Sequence, residues 1–236
     1  MTVADAPRPA PGRPHPVRGL YVIADAGLVP GRELLPRARA ALEGGARVLQ
    51  LRSKAASAAE RLAQARVLQV LCADFAVPLI VNDDLEAAAA LGAGLHIGGD
   101  DAPVTLARRT LGECALIGRS CYNRIELAEQ ALRDGADHIA FGRFFASTTK
   151  PQAVQASPAL LRQAAPLGLP RVAIGGIDAG NAAGLLQAGA DALAVIGSVF
   201  CAADPRAAAR RVAAVIAAAS ELPAASPVPP PSEDSA

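Results

Sequence analysis

Glu43-Gly44-Gly45-Ala46-Arg47-Val48-Leu49-Gln50-Leu51-Arg52-Ser53-Lys54 reads as a helix stop, a short strand and the residues leaving its far end. A Gly-Gly pair ends a helix because glycine takes the left-handed conformation that other residues resist. The apolar run that follows has strand-forming composition. Alternate side chains of a strand point the same way, so Gln50, Arg52 and Lys54 line one face. An amide donor, a guanidinium fork and an ammonium in one place suit a phosphate or diphosphate, because Arg binds oxyanions bidentately and Lys adds a compact charge. A solvated strand face has the same pattern, so the rest of the chain must decide between the two.

The same punctuation recurs along the chain. Arg133-Asp134-Gly135-Ala136 and Gln187-Ala188-Gly189-Ala190 each close a helical stretch just before an apolar run. The apolar runs lie at 19–23, 47–51, 78–81, 94–97, 115–118, 138–141, 171–174 and 192–195. Several are apolar on both faces, as strands of a covered parallel sheet are. Ala-rich helical stretches separate them, near 31–44, 57–76, 84–92, 103–112, 124–134, 158–167, 179–188 and 204–219. Repeated βα units in roughly 200 residues predict an α/β fold, a single-domain (β/α)8 TIM barrel over 18–219. An open doubly wound sheet would carry a Gly-rich turn after its first strand. Ile23-Ala24-Asp25-Ala26-Gly27 stands there instead. Residues 1–17, rich in Pro and Arg, and residues 220–236, rich in Pro, read as disordered tails.

Composition excludes several function classes. A net charge of +1 gives no general attraction to nucleic acid or an acidic membrane. Aromatic residues are 3% with no Trp, which argues against a base-stacking platform. No apolar run approaches the ~20 residues of a membrane helix. Cys72, Cys114, Cys121 and Cys201 form no CxxC pair and read as reduced core or near-site residues of a cytoplasmic protein. His15, His96 and His138 have no metal-binding spacing.

A barrel places its chemistry at the C-terminal ends of its strands, and the polar outliers of this chain fall there. Asn82-Asp83-Asp84 follows the third run, with Asp84 the candidate helix cap. His96-Ile97-Gly98-Gly99-Asp100-Asp101 follows the fourth, so Asp83 and Asp101 could share one Mg²⁺, which takes one or two carboxylates plus water and phosphate. His96 reads as a packed interior residue. Ser120 is a rim hydroxyl without triad partners, Cys121 is structural, and Asn123 is a candidate cap for the next helix. Ser147, Thr149 and Lys150 sit in a long polar loop suited to a mobile lid. Gly175-Gly176 and Ile196-Gly197 suggest a backbone cup for a phosphate.

Taken together, Gln50-x-Arg52-x-Lys54, Asn82-Asp83, His96-x-Gly98-x-x-Asp101, Gly118-x-Ser120, Ser147-x-Thr149-Lys150, Ile174-Gly175-Gly176-Ile177 and Ile196-Gly197 resemble the thiamine-phosphate synthase family. The likeness runs from about Gly19 to Ile216. It implies an Mg²⁺-dependent transferase with two small-molecule substrates, joining a pyrimidinylmethyl diphosphate to a thiazole phosphate and releasing diphosphate. Carried over by position, Gln50, Arg52, Lys54, Asn82, Ser120 and Lys150 would bind the pyrimidine diphosphate. Arg52, Lys54, Ser120 and Lys150 would act in catalysis, and Asp83 and Asp101 would hold Mg²⁺. Ser147, Thr149, Gly176, Ile196 and Gly197 would hold the thiazole phosphate. The resemblance also implies a dissociative course, in which a pyrimidine cation forms and the thiazole nitrogen captures it. Three positions depart from the family pattern: Gly99 where Gln is usual, Ser147 for Thr, and Gly197 for Ser. The rival readings are a thiazole tautomerase and a non-catalytic barrel that binds thiamine phosphate. A full diphosphate-and-metal set speaks against the tautomerase.

Overall fold

Strands and helices alternate from the first described turn to the last. The computed structural model describes residues 15–99, 101–146 and 154–220. Among them, eight strands pair in parallel and close into a barrel in chain order. The strands are β1 (Gly19–Asp25), β2 (Val48–Arg52), β3 (Leu79–Asn82), β4 (Gly94–Ile97), β5 (Ile117–Tyr122), β6 (His138–Gly142), β7 (Arg171–Ile174) and β8 (Ala192–Val195). β1 closes the ring by pairing with β8, Gly19 opposite Ala192 and Val22 opposite Val195. The intervening helices are α1 (Leu34–Glu43), α2 (Ala58–Asp74), α3 (Leu85–Leu91), α4 (Val104–Leu111), α5 (Ile125–Arg133), α6 (Ala159–Gln163), α7 (Ala182–Gln187) and α8 (Pro205–Ser220). Among the described residues, none of them is long and apolar enough to cross a membrane.

Strand alternation sorts the side chains into two cores. Leu20, Val22, Leu49, Leu51, Leu95, Ile97 and their neighbours face outward and bury the helices. Tyr21, Ile23, Val48, Ile80, Ala140, Val172, Ala192 and Ala194 face inward and fill the barrel. The barrel floor is closed by Val17, which is fully buried with the inner core although its sequence neighbourhood reads as tail. Ser220, read as the start of the C-terminal tail, is the last residue of α8, and 1–14 and 221–236 lie outside the described residues.

Local chemistry accounts for the helix boundaries. Ser57 and Glu60 form a reciprocal capping box that starts α2. Asp84 caps α3, its carboxylate accepting from the Ala87 N–H at 3.0 Å, as expected. Other boundaries differ from the sequence reading. β5 continues to Tyr122, so Arg119 to Tyr122 belong to the strand rather than to a loop. Asn123 is not a cap, because α5 begins after Arg124 and no side chain caps it. α6 gives way to a short 3-10 turn at Ala165–Leu167, where Pro166 cannot donate the next helical bond. α7 starts three residues later than expected. The Asp178 carboxylate holds the N–H groups of Gly180 and Asn181 in a turn. Cys72 and Cys121 are buried, whereas Cys114 and Cys201 are exposed and belong to neither core nor site.

Candidate active site

Along β2 to β5 the inward residues change from apolar at the floor to polar at the mouth. Gln50, Arg52, Asn82, His96 and Ser120 thereby line one side of a cavity of 190 Å³. Val172, Ile174, Ala194 and Ile196 line the opposite side. Asn82 also borders an adjoining cleft of 270 Å³ walled by Ser53, Lys54, Arg61, Asp83 and Asp84. The barrel thus brings Gln50, Arg52, Lys54, Asn82, Asp83, Asp101, Ser120, Gly176, Ile196 and Gly197 to one mouth.

Each polar group is held by a neighbour. The buried Gln50 donates to the Tyr21 hydroxyl at 2.7 Å. Burial pushes the Tyr21 phenol well above its usual range, so it stays protonated. Arg52 forms an ion pair with Asp25, which is almost fully buried at the end of β1. Lys54 lies just past the end of β2 and pairs with Asp83 at 3.3 Å. It is 59% exposed, and a pair so wetted contributes under about 1 kcal/mol. Its ammonium is therefore cheap to redirect toward a phosphate.

Asp83 adopts a left-handed backbone, φ +66°, and its N–H donates to the His96 carbonyl at 2.9 Å. That bend turns its carboxylate onto Asp101. Burial raises the Asp83 pKa above the ordinary carboxylate range, the Asp101 carboxylate raises it further, and Lys54 opposes both. Two carboxylates in contact, with the Lys54 ammonium beside them, form a donor set suited to a hard divalent cation. The neighbouring Asp84 is occupied otherwise, capping α3 and accepting from Arg61 at 2.7 Å.

Below Ser120 the inner layer is made of imidazoles. His96 Nε2 is 2.9 Å from the Ser120 hydroxyl. His138 is fully buried on β6, its ring centre 5.7 Å from that of His96 and 6.3 Å from that of Tyr21. Gly118 lies between the two histidines, where a Cβ would stand 2.1 Å from His138 Nε2 and 2.6 Å from His96 Nδ1. Burial holds the His138 imidazole neutral well below its ordinary range, and repulsion from His96 and His15 adds to the effect. Unfolding frees a base that protonates near pH 6.5. Below about that pH the unfolded chain binds more protons than the folded one, so stability falls as pH falls. The melting temperature is expected to drop between about pH 7.5 and 5.5. His138→Leu should flatten the drop, and an unchanged slope in that variant would assign it to other groups.

Cys121 is buried with its thiol pushed up to about 12, so it supplies no thiolate nucleophile.

Across the mouth, Gly175 and Gly176 have φ of +105° and +66°. A Cβ on Gly176 would meet the Ala146 carbonyl at 2.3 Å, and one on Gly175 would meet Arg143 Cβ at the same distance. These glycines let the segment after β6 lie directly on the β7 turn. Phe145 N–H donates to the Gly175 carbonyl at 2.9 Å, and Ala156 N–H donates to the Arg143 carbonyl at 2.7 Å, anchoring both roots of the long loop. Ser147, Thr149 and Lys150 lie between those roots and outside the described residues. Among the described residues, nothing stands within 4 Å of where a Gly197 Cβ would be.

Four further mouth residues had escaped the sequence reading. Asp25, at a strand end, was open to the rule that locates barrel chemistry there. Tyr122, at the end of β5, was open to the same rule; Tyr21 and Arg61 carry no comparable signal.

A family model described as thiamine monophosphate synthase matches residues 20–199, which spans every candidate site residue. The chain belongs to the thiamine monophosphate synthase family. It is a transferase of that family. A thiamine-phosphate synthase of Chromobacterium violaceum is 53% identical over 201 residues, covering 85% of this chain and 97% of that protein. One from Marinobacter nauticus is 52% identical over 183 residues, covering 77% and 82%. Among solved structures, the thiamine phosphate pyrophosphorylase of Pyrococcus furiosus superposes with a TM-score of 0.77 at 32% identity, covering 85% of this chain and 96% of that one.

Proposed function

We propose that this member of the thiamine monophosphate synthase family couples 4-amino-2-methyl-5-(diphosphooxymethyl)pyrimidine to thiazole phosphate, giving thiamine phosphate and diphosphate with Mg²⁺. The observation that carries the reading is the contact of Lys54, Asp83 and Asp101 beside the Gln50/Arg52 cavity, joined through Asn82. Asp83 and Asp101 would hold the cation, which when bound neutralises negative charge on the diphosphate.

The chain's own residues do the rest. Arg52 and Lys54, with Lys150 expected to join them, would stabilise the charge that grows on the leaving diphosphate. Gln50, Asn82 and Ser120 orient the pyrimidine. The bond from the methylene carbon to the diphosphate oxygen breaks first, the electron pair leaving with the oxygen. The thiazole nitrogen then attacks the resulting cation. Such a course needs no strong base, which accords with a buried His138 whose imidazole resists taking up a proton. Ser147, Thr149, Gly176, Ile196 and Gly197 form the thiazole phosphate side. A cytoplasmic location belongs to the same proposal.

The deciding experiment mixes both substrates with the protein, with and without Mg²⁺, and looks for thiamine phosphate. Formation only with the metal supports the reading. Binding of thiazole phosphate without coupling would overturn it.

A second test addresses the loop. Lys150→Ala should slow coupling. It should also raise the share of pyrimidine diphosphate lost as the alcohol, because removing Lys150 takes away a group that would shield the cation from water. Chromatography of products at saturating substrates measures that share. Slower turnover with no extra alcohol would make Lys150 a charge clamp only.

A further inference from the structure

We propose that Tyr122 is a positioning residue for the cation site: its hydroxyl pins the turn after β4 so that Asp101 stands against Asp83. The inference rests on the cation reading above and extends it to a residue outside the diphosphate and metal set.

Gly98 and Gly99 themselves bring no side chains to the turn after β4. β5 supplies the anchors. Arg119 donates to the Gly98 carbonyl, and the Gly99 N–H donates to the Tyr122 hydroxyl at 2.8 Å. Within the turn, the Gly98 N–H donates to Asp101 Oδ2 at 2.7 Å. The bonds thus run from β5 through the two glycines to the carboxylate that meets Asp83.

Tyr122 reaches Gly99 at a backbone cost. The β5–β6 register shifts between Ser120 and Tyr122, and Tyr122 has φ +54°. A non-glycine residue there is disfavoured by roughly 1–2 kcal/mol, and such irregularities re-aim a side chain. Burial does not compensate, because Tyr122 is 41% exposed. What the irregularity accomplishes is the hydroxyl contact.

Gly99 is the complement of that hydroxyl. Its backbone is not in the left-handed region, so conformation does not demand glycine. A Cβ on Gly99 would stand 2.8 Å from the Tyr122 hydroxyl, so a side chain there would displace that hydroxyl from its contact.

The test is Mn²⁺ binding, read by electron paramagnetic resonance in the presence of inorganic diphosphate, on wild type, Tyr122→Phe, Gly99→Ala and the double variant. Circular dichroism melts verify folding. Tyr122→Phe should weaken Mn²⁺ about 3–10-fold, the loss of one orienting hydrogen bond. The Mg²⁺ concentration giving half-maximal turnover should rise in step. Gly99→Ala should weaken Mn²⁺ at least as much in wild type but less than about two-fold in the Tyr122→Phe background, where the atom it collides with is gone. A generally structural tyrosine would not produce that relief. Normal Mn²⁺ binding by Tyr122→Phe, or an equal Gly99→Ala penalty in both backgrounds, overturns the inference. If Tyr122→Phe loses Mn²⁺ affinity and wild type makes no thiamine phosphate, the inference holds and the functional reading fails.

Discussion

Asp83→Asn should lower turnover at least about 100-fold at saturating substrates, a loss comparable to removing one preorganised stabilising group. Asn is a sharper probe than Ala because it tolerates the left-handed backbone at this position. The substitution keeps shape and removes charge. It removes the carboxylate that Lys54 and Asp101 both meet, and so takes from the mouth one of the two carboxylates a hard cation would use. The melting temperature should move little, because Asp83 is partly exposed at a strand end and its ion-pair partner is mostly in water. Turnover close to wild type would refute the metal assignment.

Gly118→Ala should be among the most damaging single methyl additions in the barrel interior. Its Cβ would occupy space already held by His138 Nε2 and His96 Nδ1. Neither ring has an easy retreat: His138 is fully buried and His96 nearly so. Overpacking of this kind destabilises by about 1–3 kcal/mol, which lowers the melting temperature by roughly 2–4 °C per kcal/mol in a chain of this size. Activity should fall as well, by about tenfold or more, because His96 carries the Ser120 hydroxyl with it. The decisive variant is Gly118→Ala combined with His138→Ala, which opens room for the added methyl and should recover much of the lost stability. No recovery would show that the rings are not what excludes a side chain at 118.

Most of the architecture was legible because a covered parallel sheet writes itself as apolar runs, and the Gly-Ala stops mark where each run begins. β5 was cut short for the opposite reason. Its last turn, Arg119-Ser120-Cys121-Tyr122, has polar residues facing the mouth, and polar strand residues look like loop when read alone. Asn123 has the residue type of a cap, but α5 starts at Ile125, after Arg124, one residue too far along for Asn123 to cap it. The site residues were legible as far as strand ends predict position. Their partners were not. Asp25 meets Arg52 only because β1 and β2 lie side by side in register, and Tyr122 reaches Gly99 only through an irregular backbone. Composition and spacing encode neither.

The imidazoles have one more consequence. The chain has three histidines, and they descend in order from the mouth to the floor: His96 beside Ser120, His138 enclosed in the barrel, and His15 next to Val17. A spectroscopist therefore has a depth gauge without introducing a label. In a proton–nitrogen spectrum of the side chains, each resonance reports one level of the interior. A ligand entering the mouth should displace the His96 signals first, and one penetrating deeper should move His138. His15 should stay still unless the whole cylinder breathes.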